Sequence, residues 1–420
     1  MKFFFVLVVF QVLSVGAFGE ESDKLGVSPH IQFQLWQSAI HPEILDIDSI
    51  AGYYLDAVEV FHFGADLIVG RNPSEQNVWG RIIRSALAGT ALFYLEYPLR
   101  GTAHEYSHFQ ALSRAGLREF EIFSPELGVT LTANPLNVFA TRFSNWFGSG
   151  VEYIAYVSAG KARKLLENPR GVELRAIASA AGINAQQYYT SELAKRLMER
   201  GVSFLDAMTY FVNVYATMSY PLTEGGDIAQ YVEQLAKLGV EADPMVVGTF
   251  AQLPRLVSGS SLSLLIALAD YYMTGDKLAR PLALNVGNAR IYWPEFTSYL
   301  TLFGPTVGAE EYVGLGNHRF SLGYEYALPT GVSDVSASWS TTFFGGDIGV
   351  RASVYYNPAK RGFWTEDSVA VFSVPWLTLG VKFVYGSGYT FRREVAGKIP
   401  DFLEEQEADV KGFVSVHLSY

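Results

Sequence analysis

Two histidines and a glutamate in the five-residue segment HEYSH, which begins at His104, have the spacing that a helical metal site needs. Residues four apart lie on one face of a helix, so His104 and His108 can present two imidazoles to one ion. Glu105 then lies beside the open position of the ion, where it can accept a proton from water. The alternative is a chance match, which is uncommon in a chain with seven histidines. The spacing therefore predicts a zinc site with His104 and His108 as ligands and Glu105 as general base.

A catalytic zinc ion needs a third protein ligand, and the chain offers four candidates. It has no cysteine, so the ligand must be a histidine, a carboxylate or an amide. Asp227 follows two glycines that would let its carboxylate approach a metal, although an aspartate at a helix start is also an ordinary N-cap. The others are a lone acid in an apolar run, an amide among small residues, and an acid spaced to pair with a lysine three residues later: Glu152, Asn184 and Glu192.

The elements that must position these residues are predicted to be apolar helices. Residues 78–98 form a helix rich in small residues, which Pro98 should kink or end just before the motif. Arg81 and Arg84 interrupt its apolar run, so a buried core helix fits as well as a transmembrane one. Further helices are expected at 146–166, 172–200, 204–220 and 228–238, followed by a broken apolar run at 245–273.

A β-hairpin is predicted at Glu119–Thr132, where apolar and polar residues alternate loosely around a turn at Ser124-Pro125. A strand beside a helical metal site can bind an extended peptide by adding it as one more strand. The alternative is an ordinary connector between helices.

Beyond about Lys277 an alternation of period two replaces helical spacing, as in Phe320–Tyr326 and Leu377–Phe383. Turn residues separate about eight such segments, each close to the roughly 9–11 residues that a tilted strand needs to cross a bilayer. The last segment ends on the aromatic Tyr420. This part resembles a small bacterial outer-membrane β-barrel, which implies apolar side chains toward lipid and polar ones inside. A soluble β-sandwich has the same alternation.

Composition and the N-terminus agree with export and lipid contact. The chain is 49% hydrophobic and 15% aromatic, and its mean hydropathy is +0.15. A net charge of −11 argues against nucleic acid as a partner. Lys2, the apolar run Phe3–Leu13 and the small-x-small site at Ala17–Gly19 predict a secretory signal, with an uncleaved anchor as the alternative. We therefore expect an exported protein in an outer membrane, or alternatively in an inner membrane.

The order of these elements over residues 80–240 resembles the site-2-protease class of membrane zinc metallopeptidases, which are zincins with an edge hairpin and a late aspartate ligand. The resemblance implies that Asp227 joins His104 and His108 as third ligand and that Glu105 is the general base. One feature departs from the family: its Leu-Asp-Gly order is absent, because two glycines precede Asp227 here instead of following it.

Taken together, these patterns predict an α+β protein. A signal peptide at 1–19 precedes a helical metallopeptidase-like domain at 20–276 and an antiparallel β-barrel of about eight strands at 277–420. The expected function is a membrane-associated, zinc-dependent metalloprotease that hydrolyses peptide bonds in a peptide or protein substrate. The alternative is a non-enzymatic outer-membrane transport, adhesion or assembly protein, in which the helical domain is a plug or cap.

Overall fold

The fold is α+β, with helices over most of the chain before Thr274 and an antiparallel sheet after it. The computed structural model describes residues 30–38, 47–69, 73–114, 121–124, 129–132, 135–146, 154–156, 167–220, 225–276, 278–343, 348–374, 377–395 and 407–419. The predicted signal peptide and the candidate ligand Glu152 lie outside these ranges.

In chain order the helices are α1 (Ile47–Val69), α2 (Val78–Arg114), α3 (Pro135–Trp146), α4 (Gly171–Arg200), α5 (Phe204–Met218), α6 (Asp227–Lys237), α7 (Gly259–Thr274) and α8 (Phe391–Val395). Short 3-10 turns at Pro73–Glu75 and Leu253–Val257 and a π-turn at Val246–Phe250 complete the helical part. The strands are β1 (His30–Ser38), β2 (Glu121–Ser124), β3 (Val129–Thr132), β4 (Ile154–Tyr156), β5 (Val202–Ser203), β6 (Leu278–Ala279), β7 (Ala283–Val286), β8 (Ala289–Tyr292), β9 (Glu295–Thr301), β10 (Gly304–Leu315), β11 (His318–Ala327), β12 (Ser333–Phe343), β13 (Ile348–Asn357), β14 (Gly362–Val374), β15 (Leu377–Ser387) and β16 (Glu407–Ser419).

The helix that carries the motif is longer than the sequence predicts. The sequence predicts that Pro98 kinks or ends a helix before the motif; the helix does not end there, because α2 runs through Pro98 and includes both histidines. The helix loses one backbone hydrogen bond at a proline, and α2 packs against α1, α3 and α4. One continuous helix therefore joins the apolar segment at 78–97 to the metal motif.

Two other local predictions have opposite outcomes. The hairpin is confirmed, because β2 pairs antiparallel with β3. The helix predicted at 146–166 is wrong at Ile154–Tyr156, which forms β4 and pairs with the other edge of β2. A short apolar run does not distinguish a buried helix from a strand, and here the free edge of β2 provides backbone partners for a strand.

Helix α4 is the centre of the helical part and contacts α2, α5, α6 and β9. Its first half is rich in alanine, and the side chains of Ala176, Ala180 and Ala185 are almost fully buried. Small side chains let neighbouring helices approach closely. The close packing brings α2 and α6, which are far apart in the chain, to the same side of α4.

The sheet has eleven strands in the order β1-β16-β15-β14-β13-β12-β11-β10-β8-β7, with β9 also paired to β10. Strands β1 and β7 are the two ends of this order, and no pairing between described residues joins them. The sheet is therefore not the closed barrel that the sequence predicts. Helix α1 contacts β1 and α4 contacts β9, so helices lie beside both ends of the sheet. Strand β1 comes from the segment predicted to be helical and pairs with β16, which moves residues 30–38 into the sheet.

The two faces of the sheet have opposite polarity. On β11 the exposed residues are Phe320, Leu322, Tyr324 and Tyr326, while Ser321 and Gly323 between them are buried. On β15 Phe383 and Tyr385 are exposed and Lys382 is buried. This pattern is the reverse of a water-facing sheet, whose outer face is polar.

Among the described helices, no single one is both long and apolar enough to cross a membrane, but Val246–Val257 and Gly259–Thr274 together meet that test with a bend of 59° between them.

Candidate metal centre

The two motif histidines face each other on α2. Their Nε2 atoms are 3.2 Å apart, and the ring planes are inclined at 78°. The side chain of His104 is buried and that of His108 is half-buried. Helical spacing of four residues thus produces the shared face that the sequence predicts.

Asp227 approaches both histidines from α6, of which it is the first residue. Its Oδ2 atom lies 2.9 Å from Nε2 of His104 and 3.2 Å from Nε2 of His108. The cap position of α6 is Gly226, so the carboxylate of Asp227 is directed at the histidines and does not occupy the cap. Gly225, with φ +78°, adopts the left-handed conformation that the turn into α6 requires.

The three facing atoms have the separations that a zinc site requires. In a tetrahedral site with zinc at about 2.0–2.1 Å from each ligand atom, two ligand atoms are roughly 3.3 Å apart. The observed separations are 2.9, 3.2 and 3.2 Å. Within the described part of the chain, this is the one group of three such side chains close enough to hold an ion. The donor set therefore fits zinc.

Gly182 of α4 keeps the space between the histidines clear. A Cβ atom added at this position would lie 2.6 Å from Nε2 of His104 and 2.6 Å from Nε2 of His108. These are the two atoms that would bind a metal, so any larger residue would fill the site. The sequence shows Gly182 among small residues but gives no sign of this role.

Two contacts orient the predicted ligands. The Nδ1–H group of His108 donates to the carbonyl oxygen of Ala178 over 2.5 Å, which leaves Nε2 free to face the site. The hydroxyl of Tyr220 donates to Oδ2 of Asp227 over 2.5 Å, and its ring stacks on His104 at 5.5 Å. Nδ1 of His104 is buried without a hydrogen-bond partner among the described residues. Sequence reasoning missed Tyr220, which precedes the Pro221–Asp227 segment used for the resemblance.

Glu105 forms an ion pair with Arg142 of α3. The Glu105 side chain is 22% exposed and that of Arg142 is 37% exposed, so the pair lies where solvent and a substrate can reach it. Arg142 fixes the orientation of the carboxylate that the sequence predicts as general base. The sequence analysis missed Arg142, because nothing in the local pattern of α3 distinguishes it from an ordinary surface arginine.

The buried groups at the site shift one another's pKa, and the result is a carboxylate that faces two imidazoles. Burial lowers the pKa of His104, which favours the neutral ring that binds a metal. Burial alone would also lower the pKa of His108, but the Asp227 carboxylate outweighs it and raises that pKa. Burial would raise the pKa of Asp227, yet the two histidines hold it well below its usual range. Asp227 is therefore a carboxylate at all ordinary pH values.

The other candidate ligands are placed elsewhere. The amide of Asn184 binds the backbone of Leu300 on β9, donating to its carbonyl at 2.8 Å and accepting from its N–H at 2.7 Å. Glu192 pairs with Lys195 at 2.7 Å, the ion pair that its spacing predicts. Of the described candidates, Asp227 is the one that the fold brings to the histidines.

The predicted substrate strand remains a prediction. Because β2 is the middle strand of the order β3-β2-β4, its two edges are already paired. An extended peptide could pair only with the outer edge of β3 or of β4.

Comparisons with protein-family models, with curated proteins and with solved structures find no match for this chain.

Proposed function

We propose that the protein is a zinc-dependent metallopeptidase that hydrolyses peptide bonds. The observation that carries the proposal is the convergence of Nε2 of His104, Nε2 of His108 and Oδ2 of Asp227 within 3.2 Å, with Glu105 as the next residue after His104 on α2. Two imidazoles and a carboxylate from three protein residues are a typical protein ligand set of catalytic zinc sites.

Each residue of the site has a separate role in hydrolysis. Zinc, when bound, lowers the pKa of water and polarises a carbonyl group. Glu105 accepts the proton of the attacking water and delivers it to the leaving amine. Arg142 holds the Glu105 carboxylate in one orientation, and the Tyr220 hydroxyl does the same for Asp227.

The direct test compares metal content and peptide hydrolysis in the full-length protein. The wild type should bind one zinc ion per chain and cleave a mixed peptide library. Glu105→Gln should keep the zinc and lose hydrolysis, whereas His104→Ala should lose both. A matched control is Glu233→Gln, because Glu233 is an exposed acid on α6 that pairs with Lys237. Full zinc occupancy with no hydrolysis by the wild type would favour the non-enzymatic alternative.

We propose that the protein is exported and lies in the outer membrane of a bacterium, with the inner membrane as the alternative. The apolar outer face and polar inner face of the sheet support lipid contact. The signal-like N-terminus supports export. Fractionation of cells that express the full chain tests this location, and recovery in the soluble fraction would contradict it.

A further inference from the structure

The motif helix α2 has an apolar outward face that is distinct from the face holding the metal ligands. Eleven residues between Val78 and Tyr97 are exposed, and Arg84 is the only charged one among them. The large apolar members are Val78, Trp79, Ile82, Ile83, Leu87, Phe93, Tyr94 and Tyr97. A helix surface that faces water is normally rich in charged residues, so this surface requires another explanation.

These residues form one stripe along the helix. Trp79, Ile83, Leu87, Tyr94 and Tyr97 recur at intervals of four, four, seven and three residues, which places them on the same side. At 1.5 Å per residue the stripe is roughly 27 Å long, close to the ~30 Å of a bilayer's hydrocarbon core. Its two ends carry aromatic side chains, as is typical at the boundary between lipid and water.

A bilayer explains the exposed apolar surface better than a second copy of the chain. Apolar side chains are exposed both on α2 and on the outer face of the sheet, for example Leu322 at 68%. One protein interface would cover one patch, whereas a bilayer can cover surfaces on several elements. The single charge on the stripe belongs to Arg84, whose long side chain reaches the carbonyl oxygen of Ile68.

The stripe ends close to the metal centre. Tyr97 is its last residue and His104 follows seven residues later, which is roughly 10 Å along the helix. From Gly101 to Leu112 the helix has no exposed residue, because it is covered by the rest of the protein. The apolar stripe and two of the metal ligands, His104 and His108, are thus successive parts of one continuous helix.

We propose that the outward face of α2 between Trp79 and Tyr97 binds lipid hydrocarbon and holds the metal centre beside the bilayer surface. The substrates would then be polypeptide segments presented next to a membrane. The part about substrates rests on the proposed function, whereas the lipid contact does not. Because Arg84 is the one charged residue among the exposed residues of this face, the contact is apolar and requires no anionic lipid.

The absence of cysteine from the chain allows a site-specific test of the lipid contact. A polarity-sensitive fluorophore would be attached to Ile83→Cys or Leu87→Cys in the full-length protein, reconstituted in vesicles of brominated phosphatidylcholine. The matched control is Ala236→Cys, at an exposed position on α6. The bromine atoms should quench the probes at positions 83 and 87 at least about twofold more than the probe at 236. Equal quenching at all three positions would overturn the proposal. A blue shift at 83 and 87 without bromine quenching would indicate a second copy on this face and would also overturn it.

A second measurement addresses the substrate. One peptide would be offered free in solution or joined to a lipid anchor in phosphatidylcholine vesicles. Confinement to the surface raises the local concentration, so the anchored form should be cleaved at least about tenfold faster. Equal rates would overturn the inference about substrates. If neither peptide is cleaved while bromine quenching persists at 83 and 87, the proposed hydrolysis fails and the lipid contact stands.

Discussion

Oδ2 of Asp227 lies 2.9 Å from Nε2 of His104, although 123 residues separate the two in the chain. The turn at Gly225 and the packing of α2 and α6 against α4 produce this contact. Loss of a residue that only contacts a metal ligand weakens metal affinity by roughly 10–100-fold. If Asp227 is itself a ligand, Asp227→Ala should weaken zinc affinity by more than that. Titration of the metal-free protein with zinc measures the change. Asp243→Ala is the control, because Asp243 is an exposed aspartate that binds the backbone of Met245. Equal zinc affinity in the two variants would contradict the assignment of Asp227.

Gly182→Ala should abolish zinc binding, because the new methyl group would lie 2.6 Å from both histidine Nε2 atoms. Replacing glycine by alanine inside a helix otherwise stabilises it by up to about 1 kcal/mol. The control is Gly64→Ala in α1, where nothing lies within 4 Å of the added atom. Zinc content and thermal unfolding, measured on both variants, separate the local effect from a general one. Normal zinc content in Gly182→Ala would show that the ion is held elsewhere.

Tyr220→Phe removes one hydroxyl and keeps the ring that stacks on His104. Without that hydroxyl, Asp227 loses the hydrogen bond that orients its carboxylate. Zinc affinity should fall by about 10–100-fold, as for other residues that contact a ligand. Tyr215→Phe is a suitable comparison, because Tyr215 is 70% exposed on α5. An unchanged affinity in Tyr220→Phe would mean that this hydrogen bond does not support the metal.

His62 is the centre of a second buried network, in which its Nδ1 lies 3.0 Å from Oδ1 of Asp206 and its Nε2 lies 3.4 Å from Oε1 of Glu96. Burial alone would lower the pKa of His62, but the two carboxylates outweigh it and raise the pKa to about 10. The folded pKa is above the unfolded one, so the stabilisation is complete below about pH 6.5 and is lost as the pH rises through 10.

The free energy of unfolding should therefore decrease by a few kcal/mol between pH 6.5 and 10. His62→Gln should be less stable at neutral pH, and its free energy of unfolding should change much less over this pH range. Urea unfolding at a series of pH values measures the free energy of unfolding of each variant, with His318→Gln on β11 as the control. A pH profile of His62→Gln identical to that of the wild type would rule out a charged His62 as its cause.

The parts of the fold that the sequence predicts correctly are those set by local pattern. Helices at 171–200, 204–218 and 227–237 and the hairpin β2–β3 fall within a few residues of the expected bounds. Strand β1 has the same period-two alternation in HIQFQLWQS but was missed, because its partner β16 lies almost 400 residues away in the chain. The order of the strands in the sheet depends on pairings between segments far apart in the chain, which no local pattern encodes.

In the candidate site, too, the sequence predicts the residues that a local pattern brings together and misses those that only the fold brings together. His104 and His108 are predictable, because helical spacing alone places them together. Asp227 was one of four candidates by residue type and neighbours, and the resemblance alone favoured it over the others. Gly182, Tyr220 and Arg142 each act through a contact with another element of the fold, so their roles appear only when the packing around α2 is known.

The most direct test of the metal site is an anomalous difference map at the zinc absorption edge, from crystals of the full-length protein grown with zinc. We predict one peak enclosed by Nε2 of His104, Nε2 of His108 and a carboxylate oxygen of Asp227, at about 2.0–2.2 Å from each. A map with no peak between these three side chains, or with the zinc bound at another place, would contradict the account.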